Sequence, residues 1–192
     1  LEKFGSITVI HGQTEICPPC QDLADLMTIR EKFGSFSGLK MCFIGDGNNM
    51  ANSLIVGGLK VGMNVAVATP DGYKPDGAVL EFTKGYGDKF ALETDPFMAA
   101  SGADILITDT WTSMGEEAEK EERKKIFKDY QINRQLLAAA NAGAMVQHCL
   151  PAYRGQEITE EVFEEHADEI FNEAENRLHA QKAVMVKLMK KD

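Results

Sequence analysis

This sequence predicts an α/β fold, a mainly parallel sheet with helices on both faces in a Rossmann-like three-layer sandwich. Three observations carry that expectation. Short apolar, β-branched runs recur along the chain, at Ile7–Ile10, Met41–Ile44, Asn64–Ala68, Phe90–Leu92, Ile105–Thr108 and Ala144–Gln147. Stretches of helical period separate most of them, the alternation that builds parallel strands with crossover helices. Polar and reactive residues then gather where runs end, most densely at Met145-Val146-Gln147-His148-Cys149-Leu150-Pro151. The carboxyl ends of strands are where open α/β sheets place their chemistry. With 192 residues and 44% hydrophobic composition the chain can bury a core of its own, and one domain over 1–192 is expected.

The first helix is expected to open near Pro19, since proline is tolerated in a first turn, with Cys20, Leu23 and Met27 on one face. After Gly45-Asp46-Gly47 a second helix turns Ala51, Leu54, Ile55, Gly58 and Leu59 inward, and Gly62 stops it. The cluster Thr69-Pro70-Asp71-Gly72-Tyr73-Lys74-Pro75-Asp76-Gly77 reads as a strand-to-helix loop. From Gly115 to Ala140 the pattern is long and charged. Its pairs Glu116/Lys120, Glu119/Arg123 and Glu121/Lys125 have the orientation of a solvated helix face, and no function is assigned to it. A helix from Ile158 and a last one from about Ala174 complete the order, the latter with Leu178, Val184, Met185, Leu188 and Met189 as apolar surface.

Composition excludes several classes. A net charge of -10 argues against a nucleic-acid partner, because phosphate binding needs clustered Lys and Arg that outweigh the acids. A compact anion can still be held by one arginine and backbone amides. No segment has the apolar length of a membrane span, and Leu1-Glu2-Lys3-Phe4 does not read as a signal peptide, so a soluble protein without a membrane partner is expected. Cysteines at 17, 20, 42 and 149 are too few and too irregular for a disulfide scaffold, which points to a reducing cytoplasm.

Four segments can carry chemistry. Gly45-Asp46-Gly47-Asn48-Asn49 joins a strand to a helix with two glycines and two amides, but Met50 stands where the dinucleotide fingerprint needs its third glycine; an Asn-capped helix start is the competing reading. Asp109-Thr110-Trp111-Thr112-Ser113-Met114-Gly115 follows an apolar strand. There an ionised Asp109 can receive an ammonium, Ser113 can donate or accept beside it, and the Met114 amide can face a carboxylate; a helix cap is again the alternative. His148-Cys149-Leu150-Pro151 offers a thiol beside an imidazole. Neighbours on a strand point to opposite faces, however, so the two need not form a dyad, and Cys149 can equally be a small buried hydrophobe. Cys17-Pro18-Pro19-Cys20 has the spacing of a redox dithiol or of half a zinc site, and even with His11 the ligand set stays incomplete, so no metal is assigned.

Taken in order, these segments together with Glu173-Ala174-Glu175-Asn176-Arg177 resemble the ornithine-binding half of the ornithine carbamoyltransferases, over nearly the whole chain. The Ser-Met-Gly and His-Cys-Leu-Pro elements are specific within the carbamoyltransferase superfamily. The resemblance implies transfer of the carbamoyl group of carbamoyl phosphate to the side-chain amine of L-ornithine, giving citrulline without a cofactor. It implies that Asn49 and the Met114 amide hold the ornithine α-carboxylate, and that Asp109 and Ser113 meet its α-amino end. It further implies that Cys149, with His148 beside it, serves the reacting amine, and that Gln21, Cys149, Leu150 and Arg177 face carbamoyl phosphate, with Leu150-Pro151 cis. The implied partners are a carbamoyl-phosphate domain that this chain lacks and, in the longer family proteins, a homotrimer. Pro18 stands where the family's His-Pro-x-Gln motif has histidine, and 76–88 looks shorter than its counterpart. The isolated chain is therefore expected to be inactive. Two other readings stay open: a carbamoyltransferase-like domain that binds an amino acid without catalysis, and a Cys17/Cys20 redox or metal site on an unrelated α/β fold.

Overall fold

The computed structural model describes residues 6, 9–10, 12, 17–112 and 117–190. Five strands, β1 (Lys40–Ile44), β2 (Asn64–Ala68), β3 (Phe90–Glu93), β4 (Ile105–Thr108) and β5 (Met145–His148), form one all-parallel sheet in the order β3-β2-β1-β4-β5. Eight α-helices among the described residues surround it: α1 (Pro19–Phe33), α2 (Asn49–Lys60), α3 (Gly77–Thr83), α4 (Pro96–Ala100), α5 (Lys120–Phe127), α6 (Arg134–Leu137), α7 (Glu160–Glu165) and α8 (Ala167–Met189). Of the run expected to form a strand at 7–10, residues 7 and 8 lie outside the described residues, and Val9 and Ile10 are not in a strand.

The layering follows from strand period. Met41 and Phe43 of β1 point to one face with Ile105 and Ile107 of β4, where Leu26, Ile29, Leu54, Ile55 and Val79 of α1, α2 and α3 close a core. Cys42 and Ile44 point to the other with Leu106 and Val146, packed against Ala99, Phe127, Leu136, Val162 and Ile170. Because both faces are covered, the central strands carry no polar alternation, the property that makes parallel strands legible as apolar runs. Gly58 permits the approach of α2, since a Cβ there would sit 2.7 Å from the Met41 methyl and 2.8 Å from Val65.

Two helical expectations are corrected. Of the stretch 115–140, residues 115 and 116, and with them the expected Glu116/Lys120 pair, lie outside the described residues, and the rest is not one helix: α5 ends at Phe127, a 3-10 turn spans Lys128–Tyr130, and α6 starts only after Asn133 caps it. The cause is packing, since Phe127, Tyr130, Ile132 and Leu136 are all buried and a straight helix cannot aim them all at the sheet. Nor is its charge all solvated: Arg123 is buried, although Glu119/Arg123 pairs as expected at 3.2 Å. The last helix begins at Ala167, not near Ala174, with Ile170 driven into the core.

α8 starts early because it closes the sheet's edge. β5 gives its Met145 N–H inward to Asp104 O, so the N–H groups of Val146 and His148 point outward. Glu169 accepts from Val146 (3.0 Å) and Glu173 from His148 (2.9 Å). Alternate strand residues are about 6.6 Å apart and helix residues four apart about 6 Å, so one helix face matches the strand.

Candidate active site

The site lies at the carboxyl edge of the sheet, where the strand order reverses between β1 and β4. β1 ends in Gly45-Asp46-Gly47. Gly47 is pressed against the loop after β2: its N–H donates to Tyr73 O (2.8 Å), and a Cβ would fall 2.4 Å from backbone atoms of Tyr73, Lys74 and Pro75. That contact fixes the start of α2, where the Asn48 side chain accepts from the N–H groups of Met50 and Ala51. The cap's remaining group is used as well: Asn48 Nδ2 donates to Asp109 Oδ2 at 3.1 Å. Asn49 opens α2 at the same edge.

Asp109 follows β4. Its Oδ1 accepts from the Thr110 N–H (2.7 Å) and from Cys149 Sγ (3.1 Å), so one carboxylate joins the ends of β1, β4 and β5. Arg123 reinforces the neighbourhood, donating to Asp46 Oδ2 (2.6 Å) and to Trp111 O (3.0 Å), which ties the loops after β1 and β4 together. Ser113 and Met114 lie outside the described residues.

Cys149 is held as a thiol. Burial, then the charges of Asp109 and Glu173, push it well above its usual value, so it donates to Asp109. His148 plays a different part from its neighbour. Its ring is fully buried, Nδ1 accepts the Leu150 N–H (3.0 Å), and Nε2 meets Glu157 Oε1 (3.0 Å), also buried and also accepting the Tyr153 N–H. An acceptor at Nδ1 places the ring proton on Nε2. Both nitrogens therefore serve the backbone turn, in which Leu150 has φ 53° and the Leu150-Pro151 bond is cis. Asp109, His148 and Cys149 bring an oxygen, a nitrogen and a sulfur within 4.8 Å, with each atom already engaged inside the fold.

A second cluster stands beside it, between α1 and α8. Gln21 Nε2 donates to Asp25 Oδ1 (2.7 Å) and Glu173 Oε1 (3.0 Å), and Arg177 Nη1 donates to Gln21 Oε1 (2.7 Å). The expected apolar face of α1 is corrected here: Leu23 is exposed, while Gln21, Asp25 and Thr28 are buried because they face α8. Cys17 is half-buried and Cys20, on α1, is buried.

Sequence reasoning placed Asn49, Asp109 and Cys149 at one edge, and Gln21 with Arg177. It read an Asn cap at the start of α2, which Asn48 supplies, but missed the Asn48 bridge to Asp109, and with it Asp25, Glu173 as a ligand of β5, and Glu157. Asn48 carried a signal, since a cap uses only one end of a carboxamide. The acids carried none, because nothing local marks a carboxyl as buried.

Residues 37–188 match the family model described as aspartate/ornithine carbamoyltransferase, Asp/Orn binding domain. The chain belongs to the aspartate/ornithine carbamoyltransferase family. It is 54% identical over 190 residues to the ornithine carbamoyltransferase of Gloeobacter violaceus, covering 97% of this chain and 61% of that protein. It is 47% identical over 193 residues to the anabolic enzyme of Pyrococcus furiosus, covering 98% and 61%. Among solved structures, the ornithine carbamoyltransferase of Pyrococcus furiosus superposes with a TM-score of 0.88 at 46% identity, over 96% of this chain and 60% of that one. That of Gloeobacter violaceus gives 0.87 at 50%, over 98% and 64%. The chain thus spans about three fifths of the length of the curated relatives it matches. Membership in this carbamoyltransferase family removes the reading in which Cys17 and Cys20 sit on an unrelated fold.

Proposed function

We propose that this chain is the ornithine-binding half of an ornithine carbamoyltransferase, over 1–192 with its C-terminal helix, and that a carbamoyl-phosphate domain completes the cleft. The observation that carries the reading is Asp109, a carboxylate at the switch point that already accepts an amide N–H and a thiol from neighbouring strand ends. An α-ammonium is a stronger donor to the same oxygens. Asn49 and the Met114 amide take the α-carboxylate, and Ser113 joins Asp109 at the amino end. Gln21, Leu150 and Arg177 face carbamoyl phosphate. Arg177 supports this directly, because its buried Nε has no hydrogen-bond partner among the described residues.

The chemistry requires a neutral amine to attack a carbonyl carbon, lose a proton and leave charge on oxygen for donors to meet. Cys149 starts as a thiol, so it cannot take that proton until the local field changes. A cationic substrate beside Asp109 supplies the change, since positive charge lowers a thiol's pKa where carboxylates had raised it. His148 contributes by holding the Leu150 turn rather than by touching substrate.

The exposed apolar residues Leu178, Met185, Val186, Leu188 and Met189 of α8 form the surface proposed to meet the second domain, through which the longer protein assembles as a trimer. Cytoplasmic placement is proposed from the four cysteines, too few and too irregularly placed for a disulfide scaffold. No described helix is long and apolar enough to cross a membrane.

Calorimetry with L-norvaline and L-ornithine tests the pocket. Weak binding is expected, falling at least about tenfold in Asp109→Asn; equal affinity in the variant removes the pocket. A second reading, amino-acid binding without transfer, is favoured by Pro18, which offers no donor where the family has histidine. Joining the chain to a complementary carbamoyl-phosphate domain separates the two: citrulline formation supports the enzyme, and binding without citrulline supports the second reading.

A further inference from the structure

Asp25 and Glu173 are both fully buried and both accept from the same carboxamide nitrogen, Gln21 Nε2, at 2.7 and 3.0 Å, which holds the two carboxyls within reach of one nitrogen, while the buried Asp25 Oδ2 has no hydrogen-bond partner among the described residues. Two ionised carboxylates at that separation in a dry interior repel strongly, and a shared proton removes the conflict. The second oxygen of Glu173 meanwhile holds the His148 N–H, one residue before Cys149. We propose that Asp25 and Glu173 share a single proton and act together as positioning residues. They turn the Gln21 carboxamide so that its oxygen faces Arg177, and leave the Arg177 charge available to an oxyanion.

A carboxamide has two N–H groups, and when both are given to the acid pair its oxygen must look the other way, where Arg177 Nη1 meets it at 2.7 Å. The remaining lone pair of that oxygen is an acceptor for a carbamoyl –NH2. With one proton the pair carries one negative charge against the single positive charge of Arg177; with none it carries two, and an incoming anion meets net repulsion. Burial raises Glu173 to about 7, although Asp25, the His148 N–H and Gln21 pull against that rise, and burial followed by the Glu173 charge raises Asp25. The other groups facing the pair are Asp22 on α1, raised by burial and by Asp25 to about 8, Arg177 on α8, Asp109 after β4 and Cys149 after β5.

Asp25→Asn is the informative variant, because asparagine can accept from Gln21 with its oxygen and donate to Glu173 with its nitrogen, reproducing the protonated acid. The shared proton itself does not rest on the function proposed above, whereas the anion's role does, so two measurements separate them. Both use the Asp22→Asn background, which removes the other late-titrating carboxyl. In the first, the carboxyl carbons of the isotope-labelled chain are titrated by NMR, and one carboxyl step is expected well above the ordinary carboxylate range, absent once Asp25→Asn is added. Carboxyls that all titrate in the ordinary acid range, or a late step that survives Asp25→Asn, overturn the shared proton. In the second, sulfate, which does not titrate, is bound calorimetrically across the same pH range. Its affinity is expected to fall about tenfold as the pair ionises and to stay level in Asp25→Asn. An equal pH dependence in both chains overturns the charge role. No sulfate binding at any pH removes Arg177 as the anion's partner, a failure of the functional reading that the proton count distinguishes from a failure of the dyad.

Discussion

Replacing Gly47 by alanine puts one methyl group where the fold has no room for it. The added Cβ would lie 2.4 Å from Tyr73 O, Lys74 C and Pro75 N, all backbone, so no side chain can swing aside. Reaching ordinary contact requires the loop to retreat by about 1 Å, which costs about 1–3 kcal/mol as overpacking. That retreat also stretches the Gly47 N–H to Tyr73 O bond (2.8 Å), worth about 1 kcal/mol, and disturbs the bonds from Thr69 Oγ1 to Tyr73 O and from the Asp76 N–H to Asn52 Oδ1. A loss of about 2–4 kcal/mol is expected, measured as a lower urea midpoint at unchanged slope. Because Asn48 follows directly and spans to Asp109, norvaline affinity should fall as well. Gly77→Ala is the control: nothing lies within 4 Å of its Cβ, its φ is not positive, and it opens α3, so it should be neutral or gain up to about 1 kcal/mol. If Gly47→Ala unfolds at the same urea concentration as Gly77→Ala, the close approach of the two loops is not what fixes this edge of the site.

Three further outcomes are expected. Burial works to raise Glu169, but His166, Lys32 and the Val146 N–H outweigh it and lower it from the usual 4.5 to about 2. Its contribution is therefore present above the unfolded value and lost as pH falls towards 2. Glu169→Gln should cost about 1–2 kcal/mol at neutral pH after allowance for partial exposure, a gap that narrows below pH 4.5; a gap independent of pH refutes the assignment. Cys149, held protonated by burial and neighbouring carboxylates, should react with iodoacetamide at neutral pH far more slowly than an ordinary thiol, as mass spectrometry can follow; modification before the half-buried Cys17 would contradict this. His148→Leu strips partners from the Leu150 N–H and from Glu157 in a dry interior and should cost about 3–5 kcal/mol, so a change within about 0.5 kcal/mol would show that the ring bonds do not hold the turn.

The sequence by itself determined what depends on local period and on order along the chain. Five of its apolar runs became the strands of a parallel sheet, because strands buried on both faces need uninterrupted apolar character and helices between them need a stripe. The same logic placed Asn49, Asp109 and Cys149 at one edge, since residues that follow parallel strands emerge together. What only tertiary structure decided is how polar groups pair at long separation. Asn48 with Asp109, Gln21 with Glu173, and Arg123 with Asp46 lie 61, 152 and 77 residues apart, and no local pattern names the partner. The break of the 115–140 stretch and the early start of α8 belong to the same class. Each was set by surfaces elsewhere: buried aromatics that a straight helix cannot aim, and outward N–H groups on β5 that needed carboxylates at the spacing of a helical turn. A hydrophobic residue announces its burial by its own chemistry, whereas a buried acid becomes tolerable only through partners that the fold brings to it.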